Sequence, residues 1–128
     1  MRTIVLMSSS ALFMGILGFA ASFMPQETLA RLGTIPNASS TLLVQVMGAL
    51  YLGFAFLNWM ARNVMIGGIY ARPVALGNFF HFAVATAAAW KVIAAGAVAS
   101  RILLVACCIY AVFAVWFAFV LFTTPRKD

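Results

Sequence analysis

Carboxylates are almost missing from this chain. Among 128 residues only Glu27 and Asp128 are acidic, the single histidine is His81, and the two cysteines are the neighbours Cys107 and Cys108. Each scarcity closes off a chemistry. Acid-base catalysis by paired carboxylates needs two that converge on one bond, whereas Glu27 lies in a polar segment and Asp128 is the last residue. A metal centre needs clustered His, Cys, Asp or Glu, and haem held by two histidines needs a second one. No metal or other cofactor is therefore expected. Adjacent residues on a helix point about 100° apart, which suits neither a disulfide between Cys107 and Cys108 nor a Cys-x-x-Cys redox pair. They are expected to be packed, reduced thiols. With no hydrolytic triad to assemble either, the sequence predicts a protein that is not an enzyme.

Charge is scarce as well. Charged residues make up 8% of the chain and hydrophobic ones 66%, with a mean hydropathy of +1.09, against roughly 25% charged and 45–50% apolar in soluble domains. Such a chain is expected to live in lipid, as one domain. The net charge of +6 does not point to nucleic acid, because the basic residues stand singly at the ends of apolar runs and form no stripe to track phosphates. The expected partner is the lipid bilayer, with a membrane-protein partner or a second copy of the chain beside it.

The apolar runs predict an all-α membrane protein. Residues 1–128 form a single transmembrane domain of four helices at about 3–24, 41–61, 73–92 and 101–123, with a short amphipathic external segment between the first two. An n-region Arg2 before an apolar run, with Ala20 and Ser22 as a small-residue site, also fits a cleaved signal peptide. We expect instead an uncleaved first span, stopped by Pro25. Ser8, Ala11, Gly15, Gly18 and Ser22 recur along it at intervals of three and four, a small stripe that admits another helix closely, while Leu12, Phe13, Leu17 and Phe23 are left mostly for other faces. In PQETLARLG, Pro25 opens, Glu27 and Arg31 match the helix dipole and Gly33 closes, which predicts a short interfacial helix, followed by a turn at Ile35-Pro36-Asn37. Asn37-Ala38-Ser39 also matches a glycosylation sequon, a pattern that matters only in a eukaryotic secretory setting.

In the second span Val44, Gly48, Tyr51, Ala55, Asn58 and Arg62 share one face, expected to look inward. Pro73 is expected at the first position of the third span, whose small and polar face carries Asn78, His81, Ala85, Ala88 and Ala89, with Phe79, Ala83 and Trp90 toward lipid. The link from Lys91 to Ser100 is weakly marked. The fourth span has Cys107, Ala111, Ala114 and Ala118 as its small face. By the positive-inside rule, Arg2, Arg62, Arg72, Arg126 and Lys127 fall on one side and Arg31, Lys91 and Arg101 on the other. Both termini are then cytoplasmic, in a protein expected in a bacterial inner membrane.

The costly polar groups gather between Tyr51 and Phe82. His81 lies about 12 Å along the third helix, too deep to reach water easily, and an ionisable residue there raises a functional hypothesis. One reading is a pocket lined by Tyr51, Asn58, Asn78 and His81, in a small transporter or a protein that binds a lipid or quinone. The favoured reading is a neutral imidazole bonded to Asn78, Asn58 or Tyr51 as glue between helices. Arg62 and Arg72 frame a turn containing Gly67 and Gly68. They are candidates for contact with an anion or lipid headgroup, or else set topology and snorkel. The diglycine is no phosphate loop, since no Lys-Ser or Lys-Thr follows it.

The run PQETLARLG from Pro25 to Gly33, the run QVMGALYLG from Gln45 to Gly53, and the turn ending at Arg72-Pro73 together resemble the small DoxX-like four-helix membrane proteins. The resemblance covers most of the chain and brings no catalytic motif. It implies a four-helix membrane fold and a role as accessory subunit of a membrane redox complex or as assembly factor. The small multidrug exporters fit less well, since they carry a carboxylate in the first helix, where this chain has serines.

Overall fold

The computed structural model describes residues 2–64, 71–96 and 100–123. Every regular element among them is a helix: α1 (Arg2–Phe23), α2 (Pro25–Arg31), α3 (Ala38–Ala61), α4 (Ala71–Ala94) and α5 (Arg101–Thr123). Three stretches, Thr3–Phe23, Ala38–Ala61 and Arg101–Thr123, are long and apolar enough to cross a membrane. The 24-residue α4 has the length, but Asn78, His81 and Lys91 make it less apolar than the others.

The helix ends follow from local chemistry. Pro25 stands in the first turn of α2, where a missing N–H costs nothing, and Glu27 and Arg31 oppose the helix dipole. At the elbow the Thr28 hydroxyl reaches Met24 O at 2.8 Å and Ala20 O at 3.3 Å, tying α2 back to α1. α2 then stops in a Schellman turn. Gly33 takes φ +79°, its N–H bonds Ala30 O, and Thr34 N bonds Leu29 O.

α3 begins three residues before the expected Thr41. The Asn37 side chain accepts from Ser40 N while the Ser40 hydroxyl accepts from Asn37 N, a reciprocal cap that starts the helix at Ala38. α4 likewise begins early, at Ala71, so Pro73 is its third residue, not its first. That position is equally free of an intrahelical N–H bond. Gly96, at φ +66°, follows the end of α4 at Ala94, two residues beyond the expected 92 and inside the weakly marked link. The Gly67-Gly68 turn lies outside the described residues.

The helices pack as two antiparallel pairs. α1 lies along α3, and the approach is set by glycine. A Cβ built on Gly18 would meet Leu52 N at 2.8 Å, and one on Gly48 would meet Ser22 N at 2.6 Å and Ala21 C at 3.0 Å. Nothing larger than hydrogen fits at either position, so backbone meets backbone. α4 lies along α5 by another means. Phe82 stacks on Phe113 and Phe117 with centroids 4.9 Å and 5.8 Å apart, and meets Tyr110 edge-on at 5.2 Å.

Between the pairs sits the core: Leu6, Met7 and Met14 of α1 against Phe82, Tyr110 and Phe117. Two expected faces are corrected here, whereas Phe13 and Leu17 of α1 lie off the small stripe as expected and pack against the core, Phe13 meeting the rings of Tyr110 and Phe113 of α5. Phe79 and Ala83 of α4 also pack against the core rather than facing lipid. α5 turns inward an aromatic face, Tyr110, Phe113 and Phe117, alongside the expected small Cys107 and Ala114. Phe82 needs rings to stack on, and α5 supplies them.

Candidate functional site

The polar groups of the Tyr51–Phe82 stretch fall into two layers in the seam between the helix pairs. The first is an amide clamp. Asn58 Nδ2 donates to Asn78 Oδ1 at 2.8 Å, and Asn78 Nδ2 donates to Asn58 Oδ1 at 2.6 Å. Each amide has a second N–H to place. Asn58 gives its own to the Ser10 hydroxyl of α1 at 3.1 Å, and Asn78 gives its own to Val74 O, one turn back, at 2.8 Å. All four N–H groups are thus satisfied within the protein. Asn58, Asn78 and Ser10 have no exposed surface, so an unmade bond here would cost the full desolvation of the group. The site is closed.

One turn deeper is an aromatic layer. The Tyr110 hydroxyl donates to that of Tyr51 across the pairs at 3.0 Å. His81 lies among rings, stacked on Phe54 at 5.5 Å and edge-on to Tyr51 at 5.3 Å and Phe82 at 5.2 Å, with Tyr110 at 5.7 Å. Its Nε2 is buried and has no hydrogen-bond partner. The glue expected of His81 is therefore supplied by others: the asparagines bond each other, and Tyr51 bonds Tyr110.

Sequence reasoning brought Tyr51, Asn58, Asn78 and His81 to one side of one bundle. It missed Ser10 and Tyr110. Ser10 lies off the small stripe of α1, and its signal is the i+4 spacing from Leu6 to Ser10 to Met14 on a second buried face. Tyr110 follows Cys107 by three residues, so it lies beside the small face of α5.

The two arginines part company. Arg62 caps α3, donates to Trp59 O at 2.7 Å and lays its guanidinium over the Trp59 ring, 3.9 Å from the centroid. Arg72 is exposed in the first turn of α4. Cys107 is buried with its thiol 3.8 Å from Thr86 O, whereas Cys108 is exposed on the outer face. Among the described residues no three His, Cys, Asp or Glu side chains gather to hold a metal.

Hollows mark the surface of the described residues. An open apolar groove follows the outside of the α1 and α3 seam, and a smaller one lies beside Leu32 and Thr34, where the exit from α2 meets α4 and α5. Neither is lined by the four polar candidates. No protein-family model matches the chain, and no curated protein or solved structure matches it either.

Proposed function

We propose that the protein is a four-span integral membrane protein with no catalytic activity of its own, serving as an accessory or assembly subunit of a membrane complex. The observation that carries this is the closed amide clamp. The groups best able to bind a polar substrate spend every N–H on one another, on Ser10 or on backbone, which leaves the apolar exterior as the working surface. α4 is the fourth span in this reading. Asn78 is turned inward, while Leu76, Phe80, Val84 and Trp90 are exposed and apolar, so α4 offers lipid a face like those of its neighbours. Arg62 and Arg72 then lie on the cytoplasmic side with both termini, in a bacterial inner membrane. The resemblance to DoxX-like proteins supports the same class of role.

Co-purification from native membranes at low detergent tests it. A membrane protein should elute with this chain in fixed ratio, and elution alone under every mild condition would count against an accessory role.

A second reading is favoured by the orphaned Nε2 of His81. In it, Tyr51, Asn58, Asn78 and His81 open to admit a lipophilic ligand such as a quinone, whose carbonyl would bond the imidazole. Mass spectrometry of gently purified protein discriminates. A quinone retained by the wild type and lost in His81→Phe would move the assignment to this reading.

A further inference from the structure

The outer side of the α1 and α3 seam is hollow for the same reason that its inner side is tight. Gly15 and Ala55 leave a floor almost without side chains, and Ile16, Phe19, Phe56 and Trp59 stand around it as walls, enclosing an open groove of about 620 Å³. From Ala11 to Met24 the groove runs about 20 Å along α1 at 1.5 Å per residue, somewhat more than the roughly 15 Å of hydrocarbon in one leaflet. A packed helix is about 10 Å across with its side chains. It would ride on the four walls, whereas a single hydrocarbon chain reaches the floor.

A cation stands at one end. Arg62 follows Trp59 by one turn at the C-cap of α3, and its guanidinium is held against the indole by stacking and by the bond to Trp59 O. A guanidinium carries five N–H donors, and that bond uses one. Stacking on an aromatic face also fixes the plane of the fork, the condition for two-point binding of a phosphate. An apolar slot of acyl length thus ends at a pre-positioned cation.

We propose that the groove is a binding site for one anionic phospholipid, with an acyl chain on the Gly15 and Ala55 floor and the headgroup phosphate on Arg62. Trp59 forms both the last wall of the slot and the shelf under the cation, so chain and headgroup are read by adjoining residues. The proposal rests on α1 and α3 lying in a bilayer.

Trp59 also reports on the site. In a Trp90→Phe, Trp116→Phe background, reconstituted into phosphatidylcholine vesicles with a small fraction of brominated lipid, brominated phosphatidylglycerol should quench Trp59 more than brominated phosphatidylcholine does. The expected preference is about fivefold, the scale of one basic residue at an anionic membrane surface. Arg62→Gln should abolish it and Arg72→Gln should leave it. Equal quenching by the two lipids, or a preference that survives Arg62→Gln, would overturn the site. Quenching by brominated phosphatidylcholine at high fraction reports membrane embedding separately, so failure of the embedding is distinguishable from loss of headgroup preference. Native mass spectrometry of the unaltered protein from equimolar phosphatidylglycerol and phosphatidylcholine needs no variant. A phosphatidylglycerol adduct is expected, and a phosphatidylcholine adduct alone, or none, would refute the proposal. Ready disulfide dimers of Ile16→Cys would place a second copy in the groove, and would refute it too.

Discussion

The α1–α3 seam and the α4–α5 seam hold helices together by opposite means. In the first, Gly18 and Gly48 remove side chains until backbones touch; in the second, Phe82 is inserted between the rings of Tyr110, Phe113 and Phe117. In water both would be credited to the hydrophobic effect. In lipid that drive between helices is absent and what counts is contact, since each pair of atoms at the right distance gains only about 0.1–0.2 kcal/mol. Glycine gains contacts by closeness and phenylalanine by area. The first seam should fail on addition of atoms, the second on their removal.

The largest effect is expected in the aromatic seam. Phe82→Ala leaves a cavity between two stacked rings and an edge-on one and should cost about 3–5 kcal/mol, seen as a large fall in thermal stability in detergent; Phe80→Ala, on the exposed side of the same helix, is the control. Next is the glycine seam. Gly48→Ala drives a Cβ into Ser22 and Ala21 backbone and should cost about 1–3 kcal/mol, while Gly53→Ala, with open space around it, should change little. Equal melting temperatures for the two alanine variants would erase the distinction between the seams.

The amide clamp should give smaller numbers and a sharper pattern. Asn78→Leu strands the Asn58 amide and should lose about 1–2 kcal/mol, near the upper range for polar pairs in membranes. Replacing both asparagines with leucine should recover part of that loss, because no unpaired amide is left behind. A double variant worse than the sum of the singles would assign the pair a role beyond packing. Smallest of all is His81→Phe. With no bond at Nε2 to lose and rings on every side, the expected change in stability is under about 1 kcal/mol. Such a neutral change together with loss of a bound ligand is the result that would promote His81 from packing to function.

These contrasts also mark what could be read in the chain beforehand. The small stripe of α1, the inward face of α3 and the gathering of Asn58, Asn78 and His81 were legible, because helical periodicity alone places residues on faces. The reach of each face was not. Phe13, Phe79 and Phe117 turn inward because a second helix pair lies beside the first, and periodicity within one helix carries no information about how many neighbours it has. Partner choice was illegible for a similar reason: which of Tyr51, Asn58, Asn78 and His81 bond each other depends on the register between helices, fixed by Gly48 against Ser22 and by Phe82 against Phe113. Asn37 is legible as a turn residue and as the head of a sequon but not as a helix cap, although Ser40 three positions on is the reciprocal half of that cap.

The bonding of the two asparagines bears on how the chain is made. In the four-span topology proposed above, α1 and α3 leave the ribosome first, and a lone asparagine entering lipid with α3 would be an expensive passenger. Asn58 does not travel alone, because Ser10 on α1 already takes one of its N–H groups. Asn78 arrives later on α4 with Val74 O of its own helix as escort. In that topology each half of the chain carries a provisional partner for its amide and can wait in the bilayer for the other. When the halves meet, each amide keeps its escort and adds the other, so assembly asks neither one to break a bond first.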